Sequence, residues 1–177
     1  MIKGKTLGLR AVEINDLEYL KNWRNNPEFR KNFREFRELS QRDQIKWLEY
    51  LEKTPKINFM FSIIDLESNK LIGACGLLYT DWIAKFSDFS FYIGDNDEYC
   101  EGKRSQEAVS LLLDYGFNYL NLNKVWMELY EFDSLKIDFF TKLFNFKIDG
   151  RLRDNCFNNG KYFDSFIISL LKKDFKK

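Results

Sequence analysis

The chain has 177 residues, which is the length of one ordinary domain and is enough to bury a substantial core. Its 28 lysines and arginines nearly balance its 27 aspartates and glutamates, and the two signs are interspersed, which argues against nucleic-acid binding through bulk electrostatics. The sequence has no histidine, which excludes a Ser-His-Asp triad, and its three cysteines are widely spaced, which argues against a zinc site. It has no apolar run long enough to span a membrane. We therefore expect a cytoplasmic protein.

The N-terminal part of the chain is predicted to form a strand and three helices. Alternating apolar and polar residues from Thr6 to Val12 predict the strand. Asn15 is the expected N-cap of the first helix, and residues 28–36 predict a short second helix or a helix followed by a loop. Ser40 with Asp43 resembles a capping box in which Asp replaces the usual Glu, and it predicts the start of a third helix.

Three strands are predicted next. Residues 58–65 and 71–78 read as strands, and the polar turn at 67–70 between them predicts an antiparallel hairpin. The alternating segment Phe86–Ile93 predicts a fourth strand. The sheet should therefore be antiparallel over this part of the chain.

A polar loop then opens an apolar helix. The segment Glu101–Ser105 carries one glycine and two cations, and the predicted helix Gln106–Leu120 follows it. At such a place the loop N–H groups and the positive end of the helix dipole both face an anion. The loop is therefore a predicted site for a phosphate diester. The alternative is a solvated basic loop in which Ser105 is an ordinary helix cap.

The remaining elements complete one α/β (α+β) domain. A strand over Lys124–Glu131, a helix beginning near Asp133 and a hairpin closed by Asn159-Gly160 are predicted. We see no internal repeat, low-complexity tract or linker in the sequence. We expect a single domain over residues 1–177, with a mixed, mostly antiparallel sheet flanked by helices.

Four short segments carry a resemblance to a known family. Leu9–Glu13 and Trp23–Glu28 are similar to its first strand and helix, Lys70–Gly73 to its third strand, and Asn159–Asp164 to its final hairpin. Together with the order of the elements, they resemble the Gcn5-related N-acetyltransferases (GNAT), and within them the ribosomal-protein and spermidine acetyltransferases. The resemblance implies a GNAT domain that uses acetyl-CoA as cosubstrate.

The resemblance implies an enzyme that acetylates a primary amine by direct attack in a ternary complex. The acceptor would be a small molecule, such as an amino sugar or a polyamine, or a protein N-terminus. The protein would be a monomer or a homodimer that binds neither nucleic acid nor a membrane. The alternative is a degenerate family member that binds CoA or a partner without turnover. It is motivated by the loop Cys100–Ser105, which departs from the glycine-containing pattern of the family, and by Phe140, which replaces a family tyrosine.

The resemblance also places acetyl-CoA along the fourth predicted strand and in the polar loop. The implied contacts are Phe91, Tyr92, Ile93, Glu101, Gly102, Lys103, Arg104, Ser105, Gln106, Asp133 and Phe140. Asp133 stands where relatives carry an asparagine that contacts the cofactor arm. Phe140 stands where relatives carry a tyrosine that protonates the CoA sulfur, and phenylalanine cannot donate a proton.

Two acidic residues are candidates for the general base. Attack on a thioester needs a neutral amine, whereas an alkyl ammonium has a pKa of about 10.4, so a carboxylate would accept the proton. Asp88 falls near an acidic position of the family, and Glu128 lies on the following strand; the alternative for both is a solvent-facing acid. The segment Phe33–Glu38 is the candidate acceptor site, or else a charged helix end packed on the core. No metal site is expected.

Overall fold

The computed structural model describes residues 1–175, which form one eight-stranded sheet with helices packed on it. The strands are Ile2–Lys3 (β1), Leu7–Ala11 (β2), Phe59–Asp65 (β3), Leu71–Asp81 (β4), Phe86–Ile93 (β5), Lys124–Tyr130 (β6), Lys147–Asn158 (β7) and Lys161–Leu171 (β8). Their order in the sheet is β1-β2-β3-β4-β5-β6-β8-β7. Among these pairs only β5 and β6 run parallel, which confirms the predicted mixed, mostly antiparallel sheet.

Five α-helices are present in the described part of the chain. They are Leu17–Asn25 (α1), Pro27–Arg30 (α2), Gln41–Lys53 (α3), Gly102–Asp114 (α4) and Ser134–Asp138 (α5). Helices α4 and α5 each continue into one π-helical turn, Tyr115–Tyr119 and Phe139–Leu143. Within residues 1–175 no helix has both the length and the hydrophobicity needed to cross a membrane.

The start of the first helix differs from the sequence prediction. Asn15 is not the N-cap, because a 3-10 turn over Ile14–Asp16 precedes α1 and the capping pair is Glu13 with Asp16. The carboxylate of Asp16 also accepts hydrogen bonds from Arg10 (2.6 and 2.8 Å) and from the Ser62 hydroxyl (2.7 Å). These bonds lower the pKa of Asp16 and tie the helix start to β2 and β3.

The second and third helices are joined by a loop with fixed ends. Of the two alternatives predicted for residues 28–36, the structure has the helix followed by a loop, because α2 ends at Arg30. The side-chain amide of Asn25 both accepts from the Leu39 N–H and donates to the Leu39 carbonyl, each at 2.8 Å. The predicted capping box of α3 is confirmed, since Ser40 and Asp43 each bind the other's backbone N–H.

Helix α4 begins earlier than predicted. It starts at Gly102 and not at Gln106, so the predicted polar loop forms its first turn. Gly102 adopts a φ of +83°, a conformation that suits glycine because it has no Cβ, and Glu101 is the extended residue before it. The α-helix ends at Asp114, and the π turn carries the predicted helix on to Tyr119.

Residues of β5 alternate between two packed faces of the sheet. Phe89 and Phe91 pack against Phe140 of the π turn after α5. Tyr92 points to the opposite face, where its ring contacts the rings of Trp23 and Phe33. The strand is therefore buried on both sides, which is why its sequence is so rich in aromatic residues.

Candidate active site

The two parallel strands diverge in the middle of the sheet. They pair only at Phe86 with Lys124, Ser87 with Val125 and Asp88 with Trp126. Beyond Asp88, β5 continues beside β4 to Ile93, while β6 continues beside β8 to Tyr130. The edge of β5 that faces β6 therefore leaves the ladder of hydrogen bonds, and the strands open into a wedge.

A cavity of about 670 Å³ opens at this wedge. Its sheet side is formed by the Asp88–Tyr92 stretch of β5 and by Met127, Glu128 and Leu129 of β6. Its other side is formed by α1, α3 and the loop between α2 and α3. Two sequence-predicted candidates, Asp88 and Glu128, thus lie in one cavity with the predicted acceptor segment.

Arg34 joins the two acids. Its Nη1 lies 2.6 Å from Oδ2 of Asp88, and its Nε lies 3.5 Å from Oε2 of Glu128. The guanidinium carbon is also 5.7 Å from the centroid of the Trp126 ring. Arg34 comes from the predicted acceptor segment, of which Phe36 is 82% exposed and does not line the cavity.

The two carboxylates are in different environments. Asp88 is 5% exposed, and burial raises its pKa, while the neighbouring Arg34 acts in the opposite direction. Glu128 accepts hydrogen bonds from the Ser165 hydroxyl (2.6 Å) and the Asn155 amide (2.7 Å) in addition to its contact with Arg34. Asp88 would lose fewer hydrogen bonds than Glu128 on protonation, and burial raises its pKa. Asp88 is therefore the better placed of the two carboxylates to accept a proton.

Lys136 of α5 occupies the wedge itself, and sequence analysis missed it. Its Nζ donates to the Phe91 carbonyl (2.7 Å) and lies 4.9 Å from the centroid of the Tyr99 ring. It makes no ion pair with the described residues, and burial lowers its pKa. The available signal was its spacing, because Lys136 precedes the buried Phe139 and Phe140 by three and four residues on the same apolar face.

Two of the predicted cofactor contacts, Asp133 and Ile93, already form hydrogen bonds within the protein. Asp133 accepts from the Tyr99 hydroxyl (2.6 Å) and from the Lys136 N–H (3.3 Å), so it caps α5. The N–H and the carbonyl of Ile93 both bond to the backbone of Tyr99 (2.7 and 2.8 Å). The prediction that the backbone of Ile93 is free to bind the cofactor is therefore wrong for this structure, whereas Phe91 and Tyr92 do line the cavity.

The first turn of α4 contains most of the predicted phosphate contacts. Glu101, Gly102, Lys103 and Gln106 are exposed. Arg104, by contrast, donates to Glu98 (2.8 Å) and Asp95 (3.0 Å), and the buried Ser105 hydroxyl points at Glu98 (3.3 Å). The prediction that Ser105 caps the helix and faces a phosphate is wrong, because the helix begins three residues earlier and turns this side chain inward.

Phe140 does not face the cavity. Its side chain is fully buried and packs on the rings of Phe89, Phe91, Phe139, Phe144 and Phe146. The prediction that it lies beside the cofactor sulfur is therefore wrong. The physical reason is the π turn Phe139–Leu143, which takes up one extra residue and shifts the register of the helix face.

Among residues 1–175 no group of three acidic or cysteine side chains is arranged to hold a metal ion. Polar side chains of α1 and α3 also line the cavity, and sequence analysis did not predict them. They include Arg24, Gln44 and Lys46. All three come from amphipathic helices whose polar residues read as solvent-facing, so only the packing of the helices on the sheet reveals them.

Comparisons with known proteins agree over almost the full length of the chain. Residues 6–143 match the family model described as "Acetyltransferase (GNAT) domain". The chain is 33% identical over 172 residues to the uncharacterized N-acetyltransferase p20 of Bacillus licheniformis, covering 96% of this chain and 94% of that protein. It is 26% identical over 164 residues to the spermidine N(1)-acetyltransferase of Vibrio cholerae, covering 89% of this chain and 88% of that protein.

Solved structures show the same fold. The crystal structure of spermidine N-acetyltransferase from Vibrio cholerae in complex with CoA and spermine superposes with a TM-score of 0.84 at 24% sequence identity. The match covers 96% of this chain and 97% of that chain.

Proposed function

The chain belongs to the GNAT acetyltransferase family and is an acetyl-CoA-dependent amine N-acetyltransferase, and we propose that it acetylates a small primary amine bound in the cavity beside Asp88. The observation that carries the proposal is the position of Asp88. It is the most buried carboxylate of the cavity and lies at the last paired residue before β5 and β6 diverge.

Asp88 acts as the general base. It takes the proton of the acceptor amine, directly or through one water, and the freed nitrogen lone pair forms the new bond to the acetyl carbon. The carbon–sulfur bond then breaks, and the second proton that the nitrogen loses on becoming an amide goes to the departing thiolate or to solvent. Because a thiol has a pKa of only about 8.5, the thiolate leaves without an acid on the enzyme, in keeping with the burial of Phe140.

The residues around the wedge suit acetyl-CoA, which supplies the acetyl thioester when it is bound. The backbone of β5 beyond Asp88 is free of β6, and because Lys136 already binds the Phe91 carbonyl, the Phe91 N–H is the main-chain group left there to bind an extended chain. The N-terminal amides of α4 and the exposed ammonium of Lys103 suit the diphosphate. Arg104 contributes little here, because Asp95 and Glu98 neutralise it.

A small acceptor fits the cavity better than a protein N-terminus. The volume of about 670 Å³ is in the usual range for sites that bind small molecules. The similarity to spermidine N(1)-acetyltransferase supports the same size class. Charged side chains on the sheet side and on the helix side of the cavity would discriminate between amines that carry different charges.

The experiment is a screen of primary amines for release of free thiol from acetyl-CoA, followed by Asp88→Asn. The isosteric amide keeps the shape of the strand but cannot take a proton, so kcat should fall by about 10²–10⁴. Asp154→Asn on the exposed β7–β8 hairpin is the matched control and should leave kcat unchanged. If Glu128→Gln gives the loss and Asp88→Asn does not, the base is on β6.

A further inference from the structure

Two cations on the helix side of the cavity, Arg24 and Lys46, form no direct ion pair with the described residues. Arg24 of α1 lines the cavity, makes no ion pair with the described residues, and has a buried Nε with no hydrogen-bond partner among them. Its guanidinium carbon lies 5.0 Å from the centroid of the Phe33 ring, which holds the plane of the group against an aromatic face. A half-buried guanidinium held in this way presents a rigid set of donors.

Helix α3 adds two groups to the same side. Lys46 lines the cavity, and the described residues give it no ion pair. Asp43 and Glu49 lie three residues before and after it along the helix; Asp43 is hydrogen-bonded to Ser40 in the capping box and interacts with Lys46 without a direct ion pair. Gln44 is only 4% exposed, lines the cavity, and its side-chain amide has no hydrogen bond within the described part of the chain.

The other charges of the cavity neutralise one another. Arg37 binds Glu35 (2.6 Å), and Arg34 binds Asp88 and Glu128. Glu35 and Asp43 interact electrostatically with Arg24 and Lys46 without a direct ion pair. The lining of the cavity has one more cation than carboxylates: the cations are Arg24, Arg34, Arg37, Lys46 and Lys136, and the carboxylates are Glu35, Asp43, Asp88 and Glu128. A buried Nε without an acceptor, as in Arg24, is costly, which indicates that a ligand supplies the missing acceptor oxygen.

We propose that the acceptor amine also carries an oxyanion, a phosphoryl or carboxylate group, and that Arg24, Gln44 and Lys46 bind it. This inference rests on the proposed function, since it names the class of acceptor for the same cavity. The planar fork of Arg24 matches an oxyanion in two-point contact, Gln44 donates an amide N–H, and Lys46 adds a mobile charge. A polyamine would place further positive charges against Arg24 and Lys46, so it is a poor acceptor.

The test uses pairs of amines that differ only in the anionic group. Glucosamine is compared with glucosamine 6-phosphate, ethanolamine with O-phosphoethanolamine, and β-alaninamide with β-alanine; spermidine is the cationic case. The kcat/KM for thiol release should be at least about 10-fold higher for an anionic member than for its neutral partner, the size expected of hydrogen bonds to a charged group. The phosphate and carboxylate pairs show which oxyanion is bound.

Variants assign the effect to named residues. Arg24→Gln and Lys46→Gln should raise KM for the anionic amine by about 10-fold or more with little change for its neutral partner. Arg42→Gln on the exposed side of α3 is the matched control and should change neither. Arg24→Lys keeps the charge but loses the fork, so it should give a smaller loss. Equal kcat/KM within every pair, or equal losses for both members in Arg24→Gln, would overturn the inference.

Calorimetry without acetyl-CoA separates this inference from the proposed function. Binding of an anionic amine that depends on Arg24, with no thiol release from any amine, would sustain the oxyanion site and reject the acetyl-transfer role of the cavity. Efficient acetylation of neutral amines or spermidine would reject the oxyanion site and sustain that role. Absence of both binding and turnover for every anionic amine would also overturn the inference.

Discussion

Replacing Arg34 should move the pH dependence of the reaction, because Arg34 is the cation that holds Asp88 ionised. Arg34→Gln removes the charge and leaves a shorter, neutral side chain with one amide donor group. Burial raises the pKa of Asp88, and the contact with Arg34 at 2.6 Å lowers it. Without the guanidinium, the pKa of Asp88 should therefore rise further.

The size of the shift follows from the distance and the exposure of Arg34. About half of the Arg34 side chain is exposed (49%), so we reduce the Coulomb energy of this pair by the dielectric constant of water. Coulomb's law at that separation then gives about 1.6 kcal/mol, which corresponds to roughly one pKa unit. Repulsion from Glu128, which Arg34 also contacts, would act in the same direction.

The assay is the pH dependence of kcat/KM at saturating acetyl-CoA. A base must be deprotonated, so activity is lost as pH falls through the pKa of Asp88 in the folded protein. In Arg34→Gln that acidic limb should lie about one pH unit higher than in the wild type. Arg30→Gln, which removes an arginine that pairs with Glu38 outside the cavity, should leave the limb in place. Carbon NMR of the Asp88 carboxyl reports the same shift without an acceptor.

Thermal or chemical unfolding gives a second readout with a fixed sign. The pKa of Asp88 is higher in the folded than in the unfolded chain, so protonated Asp88 favours the folded state. This contribution to stability is complete at pH values below the pKa in the unfolded chain, and it is lost as pH rises through the pKa in the folded protein. Arg34→Gln should therefore lose more stability at neutral pH than at acid pH. An acidic limb that does not move in Arg34→Gln, while Asp88→Asn is inactive, would refute this account.

Three further variants test other parts of the site. Burial lowers the pKa of Lys136, so the unfolded chain binds more protons than the folded one and the wild-type protein gains stability toward alkaline pH. Lys136→Met should therefore raise the melting temperature at neutral pH and reduce its increase toward alkaline pH. A lower melting temperature would show that the hydrogen bond from Lys136 to Phe91 outweighs the cost of burial. Acetyl-CoA at about 100 times its Kd should stabilise the wild type by about 2.7 kcal/mol in thermal unfolding. Lys103→Glu should reduce that gain and Lys53→Glu should not, whereas equal gains would remove the first turn of α4 from the cofactor site. Phe140→Tyr places a phenol among five buried rings, so urea unfolding should show a loss of about 1–3 kcal/mol without faster turnover; faster turnover at unchanged stability would contradict the burial argument.

Local signals predicted most of the fold. The capping box of Ser40 and Asp43 and the turn at Asn159-Gly160 each depend on neighbouring residues only, and both form as predicted. In that turn Asn159 and Gly160 have φ values of 48° and 78°, the positive values that a two-residue hairpin turn requires. The alternation of β5 likewise predicts its strand, since the period of two is a property of the strand itself.

The site depends on contacts between distant segments, which the sequence does not display. Asp88 was predicted from its place on a strand, and it does lie in the cavity, while its role as base stays a prediction. Arg24 and Lys136 were not predicted, because a cation on an amphipathic helix normally faces water, and only the packed sheet shows that these two do not. Phe140 was misplaced because a single π turn shifts a helix face without any sequence signal as clear as proline or glycine.

The pairing of Asn25 with Leu39 has a consequence for how new acceptor preferences arise in evolution. These two hydrogen bonds fix both ends of the segment that carries Arg34, while β5 and β6 are held separately, by their places in the sheet and by packing on its two faces. Insertions or deletions between the fixed ends would change loop-closure entropy only slightly. This short segment can therefore change in sequence and length, and with it the proposed selection of the amine, without disturbing the strands proposed to bind the acetyl donor.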